Sequence, residues 1–169
     1  MPPSEQPQDR AGELTFEEFF ESEHLRLFGT ICLITGNRQE AEDVMQEAFL
    51  RVWERWGRVS QMESPAGYLY QCSMNIVRKR MRRSRLAARR FKSDPVGPED
   101  AFSEVEARDA VIRLLAPLTP RQRAALVLTE LRGLSSQEAA RALRIAPGTV
   151  RVLKAQALKS LRSGGEGDG

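Results

Sequence analysis

Apolar residues recur every three or four positions along most of this 169-residue chain, and that spacing predicts amphipathic helices. In the first such stretch, residues 14–36, the positions spaced for a buried face are Leu14, Phe16, Phe19, Phe20, His24, Leu27, Phe28, Ile31 and Ile34. Gly36-Asn37 should end this helix, because both residue types favour conformations that interrupt a helix. The alternation typical of strands is absent from the sequence, so the pattern predicts an all-α protein.

The second predicted helix, residues 38–56, has two faces of different character. The face spaced for burial consists of Ala41, Val44, Met45, Ala48, Val52 and Trp56. The opposite face holds a leucine among acids and an amide, namely Leu50 with Asp43, Gln46, Glu47 and Glu54. An apolar residue in such surroundings is typical of a surface that docks on another protein. A single exposed leucine is also common, so periodicity alone leaves both interpretations open.

Ser64 and Pro65 predict the start of a third helix, since serine is a favoured cap and proline a favoured first residue. This helix continues into residues 78–92, a segment with nine basic residues and no acid. Aromatic rings, an amide and cations together can hold unpaired bases. The candidates are Tyr68, Tyr70, Asn75, Arg78, Lys79, Arg80, Arg82 and Arg83. Alternatively, Tyr68 belongs to the core, Asn75 is a surface amide and the arginines hold duplex phosphates.

Residues 92–103 combine two prolines, a glycine and several acids, which predicts a linker. Residues 105–115 then predict a short amphipathic helix. Thr119-Pro120-Arg121-Gln122 and Ser135-Ser136-Gln137-Glu138 both have the pattern of a capping box at a helix start. Gly133 should end the helix between them.

A short helix from Gln137 to Leu143, a turn at 144–146 and a second helix from Pro147 match the helix-turn-helix layout. The positions spaced for the core are Ala139, Ala140, Leu143, Val150, Leu153, Ala157 and Leu161. The outer face of the second helix suits the base edges and thymine methyl groups of a major groove, with Arg151, Val152, Ala155, Gln156 and Lys159. Lys154, at the edge of the core positions, is expected to extend toward phosphate. An ordinary helical hairpin with a basic exterior is the alternative.

These elements predict two small helical domains joined by a flexible linker, with the helix-turn-helix in the second domain. The predicted division is a disordered N-terminus at 1–13, a first domain at 14–91, a linker at 92–103, a second domain at 104–162 and a disordered tail at 163–169.

Charge is strongly segregated along the chain, although the formal net charge is only +3. Residues 1–63 have a net charge of −7, residues 93–120 of −4 and residues 121–162 of +7. Two basic blocks separated by an acidic connector suggest two contacts with a polyanion, and the acidic first third suggests a different partner.

Three stretches together resemble a bacterial sigma factor of the extracytoplasmic-function (ECF) type, a two-domain class of the sigma-70 superfamily. They are EAEDVMQEAFLRVWERW, SPAGYLYQCSMNIVRKRMRR and LTPRQRAALVLTELRGLSSQEAARALRIAPGTVRVLKAQALKSLR. The resemblance covers about residues 14–90 and 104–162. It implies a transcription initiation factor that directs core RNA polymerase to specific promoters and helps to melt the −10 element.

The resemblance implies three binding surfaces. The clamp helices of the polymerase β′ subunit would contact Asp43, Gln46, Glu47, Leu50 and Glu54. The −10 element would contact Tyr68, Asn75, Arg78, Lys79, Arg80, Arg82 and Arg83, with Asn75 at a flipped-base pocket. The −35 element would contact Arg144, Pro147, Thr149, Arg151, Val152, Ala155, Gln156 and Lys159. Free sigma factors of this class are commonly held inactive by an anti-sigma factor, so such a partner is implied.

Two other classes of protein compete with this interpretation. A helix-turn-helix repressor or activator would bind operator DNA without acting as a polymerase subunit. A nuclease or recombinase would need clustered carboxylates or a nucleophile near the basic groove, and residues 78–92 contain no acid. The sequence has no Cys–His metal cluster and no glycine-rich phosphate loop, so we expect neither enzymatic activity nor a cofactor or metal.

Cys32 and Cys72 lie within apolar helical patterns and should be reduced core residues of a cytoplasmic protein, with a disulfide between them as the alternative. The chain has no run of 18 apolar residues, and its start lacks the features of a signal peptide. We therefore expect no membrane insertion.

Overall fold

The structure, a computed structural model of the chain, describes residues 12–88 and 103–165, and these residues contain helices but no strand. The N-terminal half contains α1 (Phe16–Thr35), α2 (Arg38–Glu54), α3 (Trp56–Val59) and α4 (Pro65–Ala88). The C-terminal half contains α5 (Ser103–Leu115), α6 (Pro120–Leu126), a π-helical turn (Val127–Leu131), α7 (Ser136–Leu143) and α8 (Pro147–Gly165). The all-α fold with a C-terminal helix-turn-helix is confirmed.

Short-range hydrogen bonds define where several of these helices begin. The Ser64 hydroxyl accepts from the backbone N–H of Gly67 at 3.0 Å, so the predicted start of α4 is correct. Thr119 and Ser135 form the two predicted capping boxes, with Gln122 and Glu138 as the reciprocal acceptors. Each cap contributes about 1 kcal/mol by satisfying a backbone N–H that has no partner within the helix. Local sequence therefore sets these three boundaries.

Large side chains fill the core of the N-terminal half. Phe19, Phe49 and Trp56 are buried where α1, α2 and α3 meet. The Phe49 ring centroid lies 4.8 Å from that of Phe20, and the Phe16 centroid lies 5.5 Å from that of Trp56. Edge-to-face contacts of this kind add to the free energy gained by removing the rings from water.

Alanines make up half of the buried core of the C-terminal half. Six of its buried core residues are alanines, namely Ala124, Ala125, Ala139, Ala140, Ala142 and Ala157. Because alanine has only a methyl group, α6, α7 and α8 can approach one another closely. Val150 in α8 is fully buried among them.

Arginines carry several contacts between the two halves. Arg123 of α6 donates to the carbonyl of Ile34 at 3.2 Å, near the end of α1, and also to the carbonyls of Leu115 and Leu118. Arg78 of α4 donates to the carbonyl of Leu143 at 2.7 Å, at the end of α7. A cation at the end of a helix is favourable because the last carbonyls have no partner within the helix.

Several boundaries differ from the prediction. Leu14 is exposed and precedes α1, because Thr15 forms a capping box with Glu18 and starts the helix after it. The predicted helix 38–56 ends at Glu54, and Trp56 begins the separate short helix α3. Phe49 is buried although its position lies off the predicted core face, because α1 covers that side of α2 with phenylalanine rings.

The predicted ends of the C-terminal domain were also inaccurate. The linker was predicted to include Ser103, but α5 begins at that residue. The tail was predicted to be disordered from residue 163, but α8 continues to Gly165, and the Ser163 hydroxyl donates to the carbonyl of Lys159. The predicted linker at 92–102, most of the predicted N-terminal disorder and residues 166–169 lie outside the described residues.

Cys32 and Cys72 are both buried as free thiols, as predicted, and burial raises the pKa of each. In the part of the chain that the structure describes, none of the helices combines the length and the hydropathy needed to cross a lipid bilayer.

Candidate functional site

The outer face of α2 carries two exposed apolar side chains. Leu50 is 57% exposed and Trp53 is 46% exposed. On the opposite face of the same helix, Val44, Ala48 and Val52 are fully buried. Monomeric proteins seldom group large exposed side chains in this way without a partner. The structure therefore shows that Leu50 is exposed, as helical periodicity predicted, and that the neighbouring Trp53 is exposed as well.

The carboxylates around Leu50 already have cationic partners within the chain. Glu47 accepts from Arg51 at 2.8 Å, and Arg80 of α4 lies 3.5 Å from Glu47 and 3.7 Å from Asp43. All of these side chains are about one-third exposed or more, so each pair contributes little to stability. Arg80, which we predicted to contact DNA, thus pairs with the acidic surface of α2 in the free chain.

The two other predicted members of this surface are positioned differently. Gln46 is exposed beside Leu50. Glu54 is also exposed, and it lines a pocket between α2 and α4. Glu40, in the first turn of α2, is half-buried, and burial raises the pKa of its carboxyl group.

Tyr68 and Asn75 line that pocket together, so the structure brings two of the predicted readers of unpaired bases to one place. Tyr70, the third candidate, is 1% exposed and belongs to the core, so it cannot stack on a base in this structure. The pocket has a volume of about 440 Å³, within the range of small-molecule sites and enough for a nucleobase. Tyr68 is half-buried, and its hydroxyl accepts from Arg55 at 3.2 Å. The tyrosine therefore packs partly against the core and partly faces the pocket, which combines the two alternatives considered for it.

Arg78 is held in place from two sides. It donates to the Asn75 side-chain oxygen at 3.1 Å and to the Leu143 carbonyl at 2.7 Å. Burial lowers the pKa of Arg78, and repulsion from Arg144 and Arg82 lowers it further. Arg78 therefore lies among other cations, and the negative charge of a bound phosphate would reduce their mutual repulsion. The remaining predicted −10 contacts, Lys79, Arg82 and Arg83, are exposed on α4.

The outer face of α8 is open to solvent, as predicted. Its exposed residues include Val152, at 55% exposure, together with Arg151, Ala155, Gln156 and Lys159. Pro147 and Thr149 are half-buried at the start of the helix. Lys154 was expected to extend toward phosphate, but its ammonium group pairs with the Glu130 carboxylate in the π-helical turn.

Arg144 occupies a special backbone conformation in the turn between α7 and α8. Its φ of +55° lies in the left-handed region, where a residue with a Cβ atom is strained by about 1–2 kcal/mol. We predicted Arg144 among the −35 contacts, but the structure shows that it also lines the pocket of Tyr68 and Asn75. Glycine or asparagine usually occupies the left-handed conformation. Because this position is an arginine, the sequence did not indicate that conformation.

No group of three or more His, Cys, Asp or Glu side chains within residues 12–88 and 103–165 could hold a metal ion. The surfaces described above are an apolar and acidic face on α2, a polar pocket between α2 and α4, and a mixed face on α8.

Comparisons with known proteins agree with this division. Residues 19–87 match the family described as Sigma-70 region 2, and residues 108–161 match the family described as Sigma-70, region 4. The ECF RNA polymerase sigma factor SigM of Mycobacterium tuberculosis is 29% identical over 136 residues, which cover 80% of this chain and 69% of SigM.

Two solved structures share the fold. The sigma factor RpoE of Bartonella quintana, in complex with the anti-sigma factor NepR, has a TM-score of 0.73 at 18% identity, covering 91% of this chain and 98% of that one. CnrH, in complex with the cytosolic domain of CnrY, has a TM-score of 0.65 at 19% identity, covering 91% of this chain and 89% of that one. With both sigma regions matched in order, the chain belongs to the ECF sigma factors of the sigma-70 family.

Proposed function

We propose that this sigma factor binds core RNA polymerase through the outer face of α2, opens the −10 element with α4 and holds the −35 element with α8. The chain itself needs no catalytic group for this role, because the polymerase performs the chemistry. It would act in the cytoplasm, where polymerase and promoter DNA meet.

The exposed Leu50 is the observation that carries the proposal. It lies on a helix whose opposite face is completely buried, with Trp53 beside it and carboxylates around it. Such a surface offers an apolar centre and a charged rim, the arrangement found in protein interfaces. The β′ clamp helices are the proposed partner because the family resemblance assigns Asp43, Gln46, Glu47 and Leu50 to that contact.

Run-off transcription with purified core polymerase and a cognate promoter tests this role. Leu50→Asp should abolish polymerase binding, because it buries a charge at the centre of the interface. Leu25→Asp is the matched control, since Leu25 is a 70% exposed leucine on α1. We expect run-off product to fall at least tenfold with Leu50→Asp and to stay near wild type with Leu25→Asp. Equal activity of the two variants would reject the α2 face as the docking surface.

Promoter opening depends on the pocket of Tyr68 and Asn75 in this proposal. A base that stacks on an aromatic ring gains about 1–3 kcal/mol, enough to help to trap a strand once it has opened. Tyr68→Ala should therefore reduce transcription from a duplex promoter, whereas Tyr68→Phe should keep most of it. The loss should be smaller on a template whose −10 region is already unpaired. An equal loss on both templates would show that Tyr68 has no part in opening.

Specific reading of the −35 element would fall to the outer face of α8. Arg151 and Gln156 have the donors and acceptors to bond base edges, and Val152 offers a methyl surface to thymine. A repressor with the same helix-turn-helix would bind its site tightly alone. Weak binding of the free chain to duplex promoter, strengthened by core polymerase, is the outcome that favours a sigma factor.

An anti-sigma factor is the further partner we propose. Support comes from the fold shared with RpoE, which was solved in complex with the anti-sigma factor NepR. The partner would be expected to cover one of the surfaces described above and so prevent binding of polymerase or promoter.

A further inference from the structure

Lys154 lies on the reading helix α8, but its charge is already paired within the chain. Its ammonium group pairs with the Glu130 carboxylate, and its side chain is 33% exposed. Arg151 and Lys159 of the same helix are exposed to solvent. Within residues 12–88 and 103–165, Lys154 is the cation of α8 that forms an ion pair with a carboxylate. The reading helix therefore presents one positive charge fewer than its sequence suggests.

The π-helical turn places Glu130 beside α8. Val127 and Leu128, at the start of this turn, are fully buried, and the backbone N–H of Arg132 donates to the carbonyl of Val127 at 2.9 Å. The backbone that carries Glu130 is therefore anchored in the core, while its side chain is 48% exposed. Turns of this kind are rare and occur frequently at functional sites.

Glu130 also has an unusual charge for its part of the chain. Residues 121–162 contain nine basic residues and two acids, Glu130 and Glu138. The Glu138 carboxylate belongs to the capping box of α7, where it accepts from the backbone N–H of Ser135 at 2.8 Å. Glu130 is thus the acid of this segment that neutralises a cation of the reading helix.

The Lys154–Glu130 pair matters more for DNA binding than for folding. Both side chains are partly exposed, so the pair contributes little to stability. A lysine that binds a DNA phosphate releases counterions from the duplex, which raises the affinity for duplexes of any sequence. A lysine whose charge a carboxylate already neutralises releases fewer counterions and therefore adds less affinity.

We propose that Glu130 is a positioning residue that withholds Lys154 from the DNA backbone and so limits the sequence-independent attraction of α8 for duplex DNA. The base-edge contacts of Arg151 and Gln156 then make up a larger share of the binding free energy. This inference rests on the proposed role of α8 in binding the −35 element. It gives Glu130 a part in how the helix-turn-helix divides its binding between phosphates and bases.

The salt dependence of duplex binding tests the proposal in the full-length chain. The affinity for a fluorescently labelled duplex of mixed sequence is measured by anisotropy between about 50 and about 200 mM salt, where each phosphate contact contributes about −0.9 to the slope of log affinity against log salt. Glu130→Gln should steepen the slope by about 0.9, so affinity should fall about 3.5-fold more across this range than in the wild type. Glu106→Gln, at an exposed position of α5, is the control with the same change of charge, and its slope should stay near that of the wild type.

The two lysines of α8 provide a second comparison. Lys154→Gln alone should leave the slope unchanged because this lysine is already paired, whereas Lys159→Gln should make the slope shallower by about 0.9. Adding Lys154→Gln to Glu130→Gln should restore the wild-type slope. All of these positions are exposed or partly exposed, so the variants should fold, and thermal unfolding followed by circular dichroism checks this.

Two results would overturn the inference while leaving the proposed −35 role in place. One is a slope for Lys154→Gln as shallow as that for Lys159→Gln, which would show that Lys154 binds phosphate in the wild-type chain. The other is an equal slope for Glu130→Gln and Glu106→Gln. If Lys159→Gln also leaves the slope unchanged, α8 does not contact the duplex, and the proposed −35 role fails together with the inference.

Discussion

The N-terminal half of the molecule buries aromatic rings, whereas the C-terminal half buries alanines and aliphatic side chains in equal number. Residues 103–165 contain no aromatic residue at all, and their buried positions at 124, 125, 139, 140, 142 and 157 are all alanine. Large rings give the first half much buried apolar area per residue, and small methyl groups give the second half close helix–helix contact. The first half should therefore suffer most from lost volume and the second half from added volume.

The largest effect is expected for Phe49→Ala in the N-terminal half. Phe49 is 4% exposed and packs against the rings of Phe19 and Phe20, so its removal leaves a large cavity. The free energy of unfolding should fall by about 3–5 kcal/mol, measured by urea denaturation. Trp53→Ala, at a 46% exposed position of the same helix, should cost much less. Similar losses for the two variants would show that buried ring area does not dominate this half.

A smaller destabilising effect, caused by added rather than lost volume, is expected for Ala140→Leu in the C-terminal half. Ala140 is buried at the contact of α7 with the neighbouring helices, and three extra carbons have no space there. Overpacking should lower the free energy of unfolding by about 1–3 kcal/mol and weaken binding to the −35 element by displacing α8. Ala155→Leu, exposed on α8, provides the control and should change stability by less than about 0.5 kcal/mol. A stable Ala140→Leu variant would contradict the close-packing argument.

The smallest effect is a loss of stability at alkaline pH, and it should arise from two thiols of the N-terminal half. Burial raises the pKa of Cys32 and Cys72 above that of a free thiol. A group whose pKa is higher in the folded state stabilises fully below the unfolded pKa, about 8.5, and loses that contribution as the pH rises toward the folded pKa. The free energy of unfolding should thus decline above about pH 8.5, and a Cys32→Ala/Cys72→Ala double variant should decline less steeply. Parallel pH profiles for the two proteins would exclude the thiols as the cause.

Helix boundaries were largely predictable because their causes are local. Ser64, Thr119 and Ser135 each bond to a backbone N–H three residues away, so the sequence shows both partners at once. The exposure of Leu50 was predictable for a similar reason, since helical periodicity alone places it opposite Val44 and Val52. The start of α1 at Thr15 also had a local signal in Glu18, which the apolar pattern of Leu14 and Phe16 obscured.

Long-range partners of the arginines could not be predicted in the same way. Arg80 lies 33 residues from Glu47, and Arg132 lies 62 residues from Tyr70. A guanidinium has five donors and suits a carboxylate, a carbonyl, an aromatic face or a phosphate almost equally well. A basic segment therefore indicates that an anionic or polar partner exists, but only the packing of the helices determines whether that partner is DNA or another part of the same chain.

Because alanines fill the contact between α7 and α8, only the outer side of α8 can tolerate substitutions. A change at Ala139, Ala140 or Ala157 alters how the helices fit together, whereas Arg151, Val152 and Gln156 are exposed in the free protein and can be exchanged at little cost in folding. Single substitutions on this exposed face can therefore change which DNA sequence the helix prefers, without producing an unstable intermediate protein.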